Sequence, residues 1–327
     1  MAFLSEAQVR QFAEEGYLLV RGLLDPEEDL DPVIAEYHTV LDNLAQTLYE
    51  QGEISDIYAD VPFGERLVKI YQESGKVHAQ YFDFSLPQGN VKPDTPFWAG
   101  PAIFRTLRNE KLLDAVESII GPEIYSNPVQ HVRLKPPEHL TPLNPETGRI
   151  QLGATPWHQD NGVVLPEADE TQILTVWFPL WDASEKHGCL TVVPRTHQDG
   201  LYTHCPGGKT GFGLHVPDAL FDREAAQPMP MKQGDVLFLT SRTLHASLSN
   251  HSDEIRWSFD LRYNPIGQPT GREAFPGFVA RSRTNPASEL HDPQAWETLW
   301  RDTRDRLAQE QLKGPFNRWD GSELVCA

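Results

Sequence analysis

The sequence predicts a mainly β fold, a sandwich or barrel, with helices flanking it at both ends. From about residue 129 onward, short runs of β-branched and aromatic residues alternate with turn signals, as in all-β sandwiches and barrels. Before that stretch the apolar residues recur at helical spacing, and a helical pattern returns after Pro293. The 327 residues, 39% hydrophobic and 10% aromatic, can bury a sizeable core. No linker separates the helical ends from the β centre. The chain therefore reads as one domain, with a helical flank (1–125), a β core (126–265) and a C-terminal loop and helix (266–327).

The elements follow in order. Ser5 with Gln8 makes a capping-box pattern, and Val9, Phe12 and Ala13 form the apolar stripe of a first helix that Gly16 ends. Tyr17-Leu18-Leu19-Val20 reads as a short buried strand. Val33, Ile34, Tyr37, Val40, Leu41 and Leu44 repeat at helical spacing between Pro32 and Gly52. Residues 62–82 read as helical, Ser85–Pro101 as a proline- and glycine-rich loop, and Lys111–Ile120 as a helix closed by Gly121-Pro122. Predicted strands are Val129–Leu134, Thr155–Asp160, Gln172–Phe178, Cys189–Val193, Asp235–Leu239, Thr243–Leu248 and Ile255–Tyr263. Two long connections, Pro136–Pro156 and His197–Gly234, have the length of functional loops. The last helix carries Trp296, Leu299, Trp300 and Leu307 along one face.

A net charge of −19 argues against nucleic acid, whose phosphates need basic surface, and against an anionic membrane. Cys189, Cys205 and Cys326, odd in number and widely spaced, make no disulfide framework. The N-terminus lacks the blocks of a signal peptide, and no apolar run is long enough to span a bilayer. These features predict an intracellular, cytoplasmic protein acting on a small molecule, and they say nothing of its oligomeric state.

The stretch that organises the chain is Pro156-Trp157-His158-Gln159-Asp160. Residues two apart on a strand share a face, so His158 and Asp160 can aim an imidazole and a carboxylate at one divalent metal ion. His197-Gln198-Asp199 and His251-Ser252-Asp253 repeat the spacing among turn residues, where solvent is the expected partner. His245, after the Gly234-Asp235 turn and the strand Val236–Leu239, is the third candidate ligand; a core histidine bonded to backbone is the competing reading. His187, His197, His204 and His251 lie among turn residues and are expected to be solvated, while His131 is kept as a pocket residue. Ile255–Tyr263 alternates strictly. Ile255, Trp257, Phe259, Leu261 and Tyr263 form an apolar face; Arg256, Ser258, Asp260 and Arg262 form a polar one that either meets solvent or lines the interior.

In order and spacing, His158-Gln159-Asp160, the stretch His187–His197, Gly234-Asp235, His245 with Ser247, and Arg256 resemble the phytanoyl-CoA dioxygenase family. These are non-haem Fe(II), 2-oxoglutarate-dependent oxygenases, and the resemblance spans roughly Leu4 to Tyr263. It implies a double-stranded β-helix, a cupin-like jelly-roll barrel. It also implies that His158, Asp160 and His245 hold Fe(II), with open positions for 2-oxoglutarate and O2, and that ascorbate activates the enzyme in vitro. Arg256 would meet the distal carboxylate of 2-oxoglutarate, with Ser247, Trp177 and His131 as further cosubstrate residues. One extra residue between Pro122 and Lys135 leaves open which of Gln130, His131 or Arg133 faces it. Related halogenases carry a small residue in place of Asp160, so the aspartate points to oxygenation, with succinate and CO2 released. Desaturation, epimerisation and cyclisation share these residues.

Phe82-Asp83-Phe84, Phe97-Trp98 and the 197–234 connection are candidate pocket walls, and Arg262, Arg272, Arg281 and Arg283 either meet an anionic substrate or form surface pairs. An acyl-CoA substrate is disfavoured by the lack of a Lys/Arg cluster in sequence. Two other classes share the barrel: a cupin-like metal enzyme that does not use 2-oxoglutarate, which Arg256 argues against, and a non-catalytic binding module, which three converging ligands argue against.

Overall fold

The computed structural model describes residues 3–207, 213–310 and 317–326. Helix α1 (Glu6–Glu15) begins at the predicted capping box, where Ser5 Oγ accepts from Gln8 N and Gln8 Oε1 accepts from Ser5 N. Gly16, in the left-handed region at φ 81°, closes it and turns the chain into β1 (Tyr17–Val20). Then come α2 (Asp31–Glu50), α3 (Phe63–Ser74), α4 (Pro101–Leu107) and α5 (Glu110–Ile120). The strands that follow are β2 (Glu123–Ser126), β3 (His131–Lys135), β4 (Leu174–Pro179), β5 (Leu190–Val193), β6 (Cys205–Pro206) and β7 (Leu214–His215). After them run β8 (Gln227–Met229), β9 (Val236–Thr240), β10 (Leu244–Ser247), β11 (Arg256–Pro265), β12 (Phe278–Ser282) and the last helix, α6 (Pro293–Glu310).

Three antiparallel sheets result. The largest has seven strands in the order β1-β9-β4-β11-β2-β12, with β3 also paired to β11. The second is β10-β5-β8, and β6 pairs with β7. Strand β11 is the hub, because one edge pairs with β4 while the other pairs with β3 over its first half and β2 over its last residues. Its alternation is the predicted one, and both faces are covered. Trp257 stacks on Phe63 of α3 with ring centroids 4.8 Å apart and meets the edge of Tyr37 of α2; Phe259 packs between Phe84 and Phe178. A second apolar cluster lies between the sheets, where Leu190, Val192 and Met229 of the smaller meet Trp177, Leu237 and Leu239 of the larger. The jelly-roll layout is thus two facing sheets with flanking helices, not closed into a continuous barrel: the ladders stay separate.

Several expectations change. Thr155–Asp160 is not a strand; only His158 makes a β-bridge, and Asp160 opens a 3-10 turn. Residues 62–82 split into α3 and a short 3-10 turn at Ala79–Tyr81, because Gly75 at φ 66° breaks the helix. Helix α4 and strands β2 and β12 were not foreseen. Phe82 and Phe84 are fully buried in the main core, so they wall no pocket, and Trp98 donates its indole N–H to Glu36. On α6, Trp296, Trp300 and Leu307 are buried but Leu299 is exposed; Thr303 takes the buried face instead. Part of the expected 197–234 connection, residues 208–212, lies outside the described residues. Among the described residues no helix is long and apolar enough to cross a membrane.

Trp296 ties the last helix to the core by packing on Phe84, Phe104 and Phe278. Trp296→Ala should lower unfolding free energy by about 3–5 kcal/mol, the usual cost of removing a buried Trp. Urea denaturation followed by circular dichroism measures it; a loss below about 1 kcal/mol would show that α6 is not part of the cooperative core.

Candidate metal centre

The loop ending at Asp160 is docked onto β10 by a reciprocal backbone exchange. His158 N donates to His245 O at 2.9 Å, and His245 N donates to His158 O at 3.0 Å. The ring centroids of the two histidines then stand 4.2 Å apart. Although this segment is no strand, Gln159 is extended (φ −111°, ψ 139°), so residues 158 and 160 still point the same way.

Each imidazole is fixed by the same local device. His158 Nδ1 lies 2.9 Å from Pro156 O, and His245 Nδ1 lies 3.0 Å from Thr243 O. A carbonyl oxygen only accepts, so Nδ1 carries the proton in both rings and Nε2 keeps its lone pair. The candidate ligand atoms of His158, Asp160 and His245 lie within 4.8 Å of one another. Two imidazoles and a carboxylate, with one side open, fit a divalent first-row ion as a facial triad.

Asp160 is fully buried. Burial alone would raise its pKa, but the Arg262 guanidinium and the two histidines outweigh that and hold the carboxyl below its usual range. Arg262 hydrogen-bonds Oδ1 and the Thr175 hydroxyl donates to Oδ2. Arg262 also reaches Val129 O at 2.7 Å and Asp260 at 3.3 Å. Burial pushes His158 down to about 3, with neighbouring His245 adding to the effect and Asp160 opposing it. The site therefore keeps a deprotonated carboxylate beside a neutral imidazole, the forms that bind metal.

A supporting layer went unseen in the sequence. His204, expected in solvent, is completely buried. Its Nε2 accepts from Gln159 N at 2.9 Å while Nδ1 donates to Tyr202 O, so a neutral imidazole pins the residue between two ligands. Gly162 is required here, since a Cβ would fall 2.2 Å from the His204 ring. Trp319 stacks on His204 and donates its indole N–H to Gly162 O at 2.8 Å. Arg318 binds Val164 O and Asp169. A Cys205–Cys326 disulfide, which the odd cysteine count had argued against, fastens this tail beside His204. The partners are 121 residues apart, so only folding shows the pair. The remaining cysteine, Cys189, is buried.

The candidate ligands His158 and His245 open onto a cavity of about 240 Å³ between the sheets. Arg256, Trp177, His131 and Arg133 line it, together with Arg262, Arg272 and the apolar Val129, Val163, Leu190 and Leu239. Arg256 lies over the Trp177 ring, 5.6 Å from its centroid. Its Nη1 donates to Ser258 Oγ, and its buried Nε has no partner. Burial and nearby Arg133 bring this arginine down to about 10. Among the described residues no carboxylate forms an ion pair with it; Asp260, in the same lining, acts on it only from a distance. His131 Nδ1 pairs with Asp83 at 2.8 Å. Of Gln130, His131 and Arg133, the last two line the cavity, while Gln130 is buried and absent from the lining.

Ser247 stands one step back from the cavity, its hydroxyl accepting from Lys135 Nζ at 2.9 Å and from Thr155 N at 2.7 Å. Arg281 and Arg283 are elsewhere, paired with the acids of α5. Asp199 and Asp253 are exposed, as expected of turn residues. His197 and His187 are half-buried, and His251 is exposed.

The profile of the family described as Phytanoyl-CoA dioxygenase (PhyH) matches residues 12–258, which include all three ligands and Arg256. The chain belongs to the phytanoyl-CoA dioxygenase family. It is 25% identical to phytanoyl-CoA dioxygenase domain-containing protein 1 of Danio rerio over 272 residues, covering 78% of this chain and 88% of that protein. The Mus musculus protein of the same name is 20% identical over 276 residues, covering 80% and 90%. Among solved structures, the non-heme monooxygenase ThoJ superposes with a TM-score of 0.53 at 16% identity, covering 93% of this chain and all of that one. EvdO2 from Micromonospora carbonacea var. aurantiaca, complexed with 2-oxoglutarate, gives 0.50 at 18% identity, covering 80% and 91%. The two structural likenesses show a shared fold.

Asp160→Ala should abolish Fe(II) binding in anaerobic calorimetry, while Asp199→Ala and Asp253→Ala bind as wild type does. Because the alanine leaves Arg262 buried without its carboxylate, Asp160→Asn serves as the companion that keeps the side-chain shape. Metal retained by both Asp160 variants would place the centre elsewhere.

A pH effect follows from His204, which burial lowers to about 4. Between that value and the usual imidazole pKa of about 6.5, the unfolded chain takes up a proton that the native state refuses. Stability present above pH 6.5 should therefore fall as pH drops toward 4, by on the order of 3 kcal/mol for this one group. Urea denaturation across that range should show a flatter dependence for His204→Gln; identical slopes would mean the histidine is not buried neutral.

Proposed function

We propose that this protein is an Fe(II)- and 2-oxoglutarate-dependent oxygenase that hydroxylates an unactivated C–H bond of a small metabolite or natural-product intermediate. The observation that carries the reading is a buried guanidinium, Arg256, that forms no ion pair among the described residues and lines the same cavity as His158 and His245 of the His-Asp-His cluster. A cupin-like enzyme without 2-oxoglutarate has no need of that charge.

His158 and His245, each with Nε2 free, and Asp160 would hold the iron from one side. Iron with 2-oxoglutarate and O2 supplies the oxidant for C–H cleavage, with succinate and CO2 as the cosubstrate's products. Arg256 offers a planar fork to the distal carboxylate, and the Trp177 ring fixes the guanidinium from one face. Arg262 and Thr175 occupy both oxygens of Asp160, which limits rotation of the carboxylate. Val129, Val163, Leu190 and Leu239 keep water from the reacting centre. The family membership supports this chemistry, and the substrate is proposed to be a small molecule.

With Fe(II), ascorbate, 2-oxoglutarate and O2 present, the protein should form succinate, and a metabolite library should yield a product heavier by one oxygen. Arg256→Leu should weaken 2-oxoglutarate by a hundredfold or more, since leaving one member of a buried charge pair alone costs roughly 3–5 kcal/mol. An unchanged KM for 2-oxoglutarate would move the anchor to another residue, and no succinate under any substrate would refute the oxygenase reading.

A further inference from the structure

Beside the metal cavity lies a second one of about 410 Å³ that none of the catalytic assignments uses. The two share Arg133, Thr155, Pro156 and Gly213, so they adjoin along the edge of the Pro156–Asp160 loop. The lining of the second cavity holds Arg133, Lys135 and Arg149 and no acidic residue. Ile150, Leu152 and Ala154 give it an apolar wall.

This arrangement runs against the rest of the molecule. The chain has 47 acidic and 28 basic residues, and its surface arginines are mostly neutralised, as in Arg21–Asp235, Arg195–Glu15, Arg283–Glu117 and Arg301–Glu297. Arg133 and Arg149 are exposed and, among the described residues, have no hydrogen-bond or ion-pair partner for their guanidinium groups. Lys135 stands behind them, its ammonium held by Thr155 Oγ1 at 2.7 Å and Ser247 Oγ at 2.9 Å. Burial first, then the charges of Arg256 and Arg133, push this lysine well below its usual pKa. Glu138 and Asp260 oppose that shift from nearby, but neither pairs with Arg133 or Arg149 among the described residues, and unpaired guanidinium groups in an acidic protein focus a positive field on one opening.

The 2-oxoglutarate reading does not use up that charge. One carboxylate of the cosubstrate would go to Arg256 and the other to the metal, which would leave Arg133, at the border of the two cavities, and Arg149, in the second one, unmatched. We propose that this second cavity is the substrate subsite, and that the substrate is a small organic anion whose carboxylate or phosphate head meets Arg133 and Arg149. The apolar wall would take the adjoining carbon skeleton, and the shared edge at Thr155 and Pro156 would direct the rest of the molecule toward the iron. The inference rests on the metal cavity being the reaction site, but the binding of the head does not depend on turnover.

The test is therefore a binding experiment on the full-length protein. Hexanoate, hexyl phosphate and the neutral match hexanamide are titrated by calorimetry, anaerobically, into protein saturated with Mn(II) and 2-oxoglutarate. At least one anion should bind more tightly than hexanamide, and Arg133→Gln/Arg149→Gln should weaken that anion by about tenfold or more, as loss of charge-assisted hydrogen bonds does. Which head binds tells carboxylate from phosphate. Hexanamide binding should be unchanged in the double variant, and 2-oxoglutarate affinity should be unchanged in Arg149→Gln alone, whose position lies outside the metal cavity; both substituted positions are exposed, so the fold is retained.

The subsite is overturned if no anion binds at millimolar concentration, if the double variant binds as wild type does, or if 2-oxoglutarate competes the anion away. If 2-oxoglutarate itself fails to bind, the oxygenase reading fails. The same titrations on Arg256→Leu, without cosubstrate, then still decide the subsite on its own.

Discussion

The backbone exchange between His158 and His245 is the constraint on which the site depends. It docks an irregular loop against β10 and sets two imidazoles side by side. Two such hydrogen bonds are worth only about 0.5–1.5 kcal/mol each in net stability, too little to order a long connection by themselves. The surrounding contacts supply the remainder. Gln159 is held through its side chain by Gly200 O, Arg242 O and Tyr202 N, and through its backbone N–H by His204. Trp319, Arg318 and the Cys205–Cys326 bond then close the chain's end over that layer. The ligands are thus placed by residues that touch no metal.

Strand β11 shows how one local pattern yields two electrostatic roles. Arg256 and Arg262 lie on the same face of the strand and are equally buried, both 3% exposed. Arg262 is matched by Asp160 and Asp260, so it holds the metal's carboxylate deprotonated and oriented. Arg256 has a hydroxyl and an indole face but, among the described residues, no carboxylate in ion-pair contact. A buried cation left in that state costs stability unless something anionic joins it, which is the physical content of a cosubstrate site. The opposite face of the strand, Trp257 and Phe259 against α2 and α3, anchors both arginines to the main core.

The local patterns in the sequence were sufficient for the helices with caps and apolar stripes, for most strands, and for the alternation of residues 255–263. They also paired His158 with Asp160, because spacing along an extended chain controls which side chains share a face, and put Arg256 on the polar face of its strand; His245 and Arg256 joined them as one candidate site through the resemblance to the family. The errors have a common cause. His204 looked like a loop histidine until the tail covered it; Phe82 and Phe84 looked like a pocket wall until α2 and β11 buried them; Cys205 and Cys326 had no visible partner across 121 residues. In each case the deciding neighbour is remote in sequence.

What the sequence by itself determined is the mainly β class of fold, which follows from residue type and short-range periodicity, and the family, whose motifs make His158, Asp160 and His245 candidate ligands and Arg256 the candidate cosubstrate arginine. Tertiary structure alone decided that Arg262 would serve Asp160 and Arg256 would not. It also decided that His204 would be neutral and buried, and that Arg133, Lys135 and Arg149 would gather around one opening. Charge compensation and burial are set by which distant segments pack together, and a chain carrying a net charge of −19 gives no hint in its linear order that a positive cavity will form.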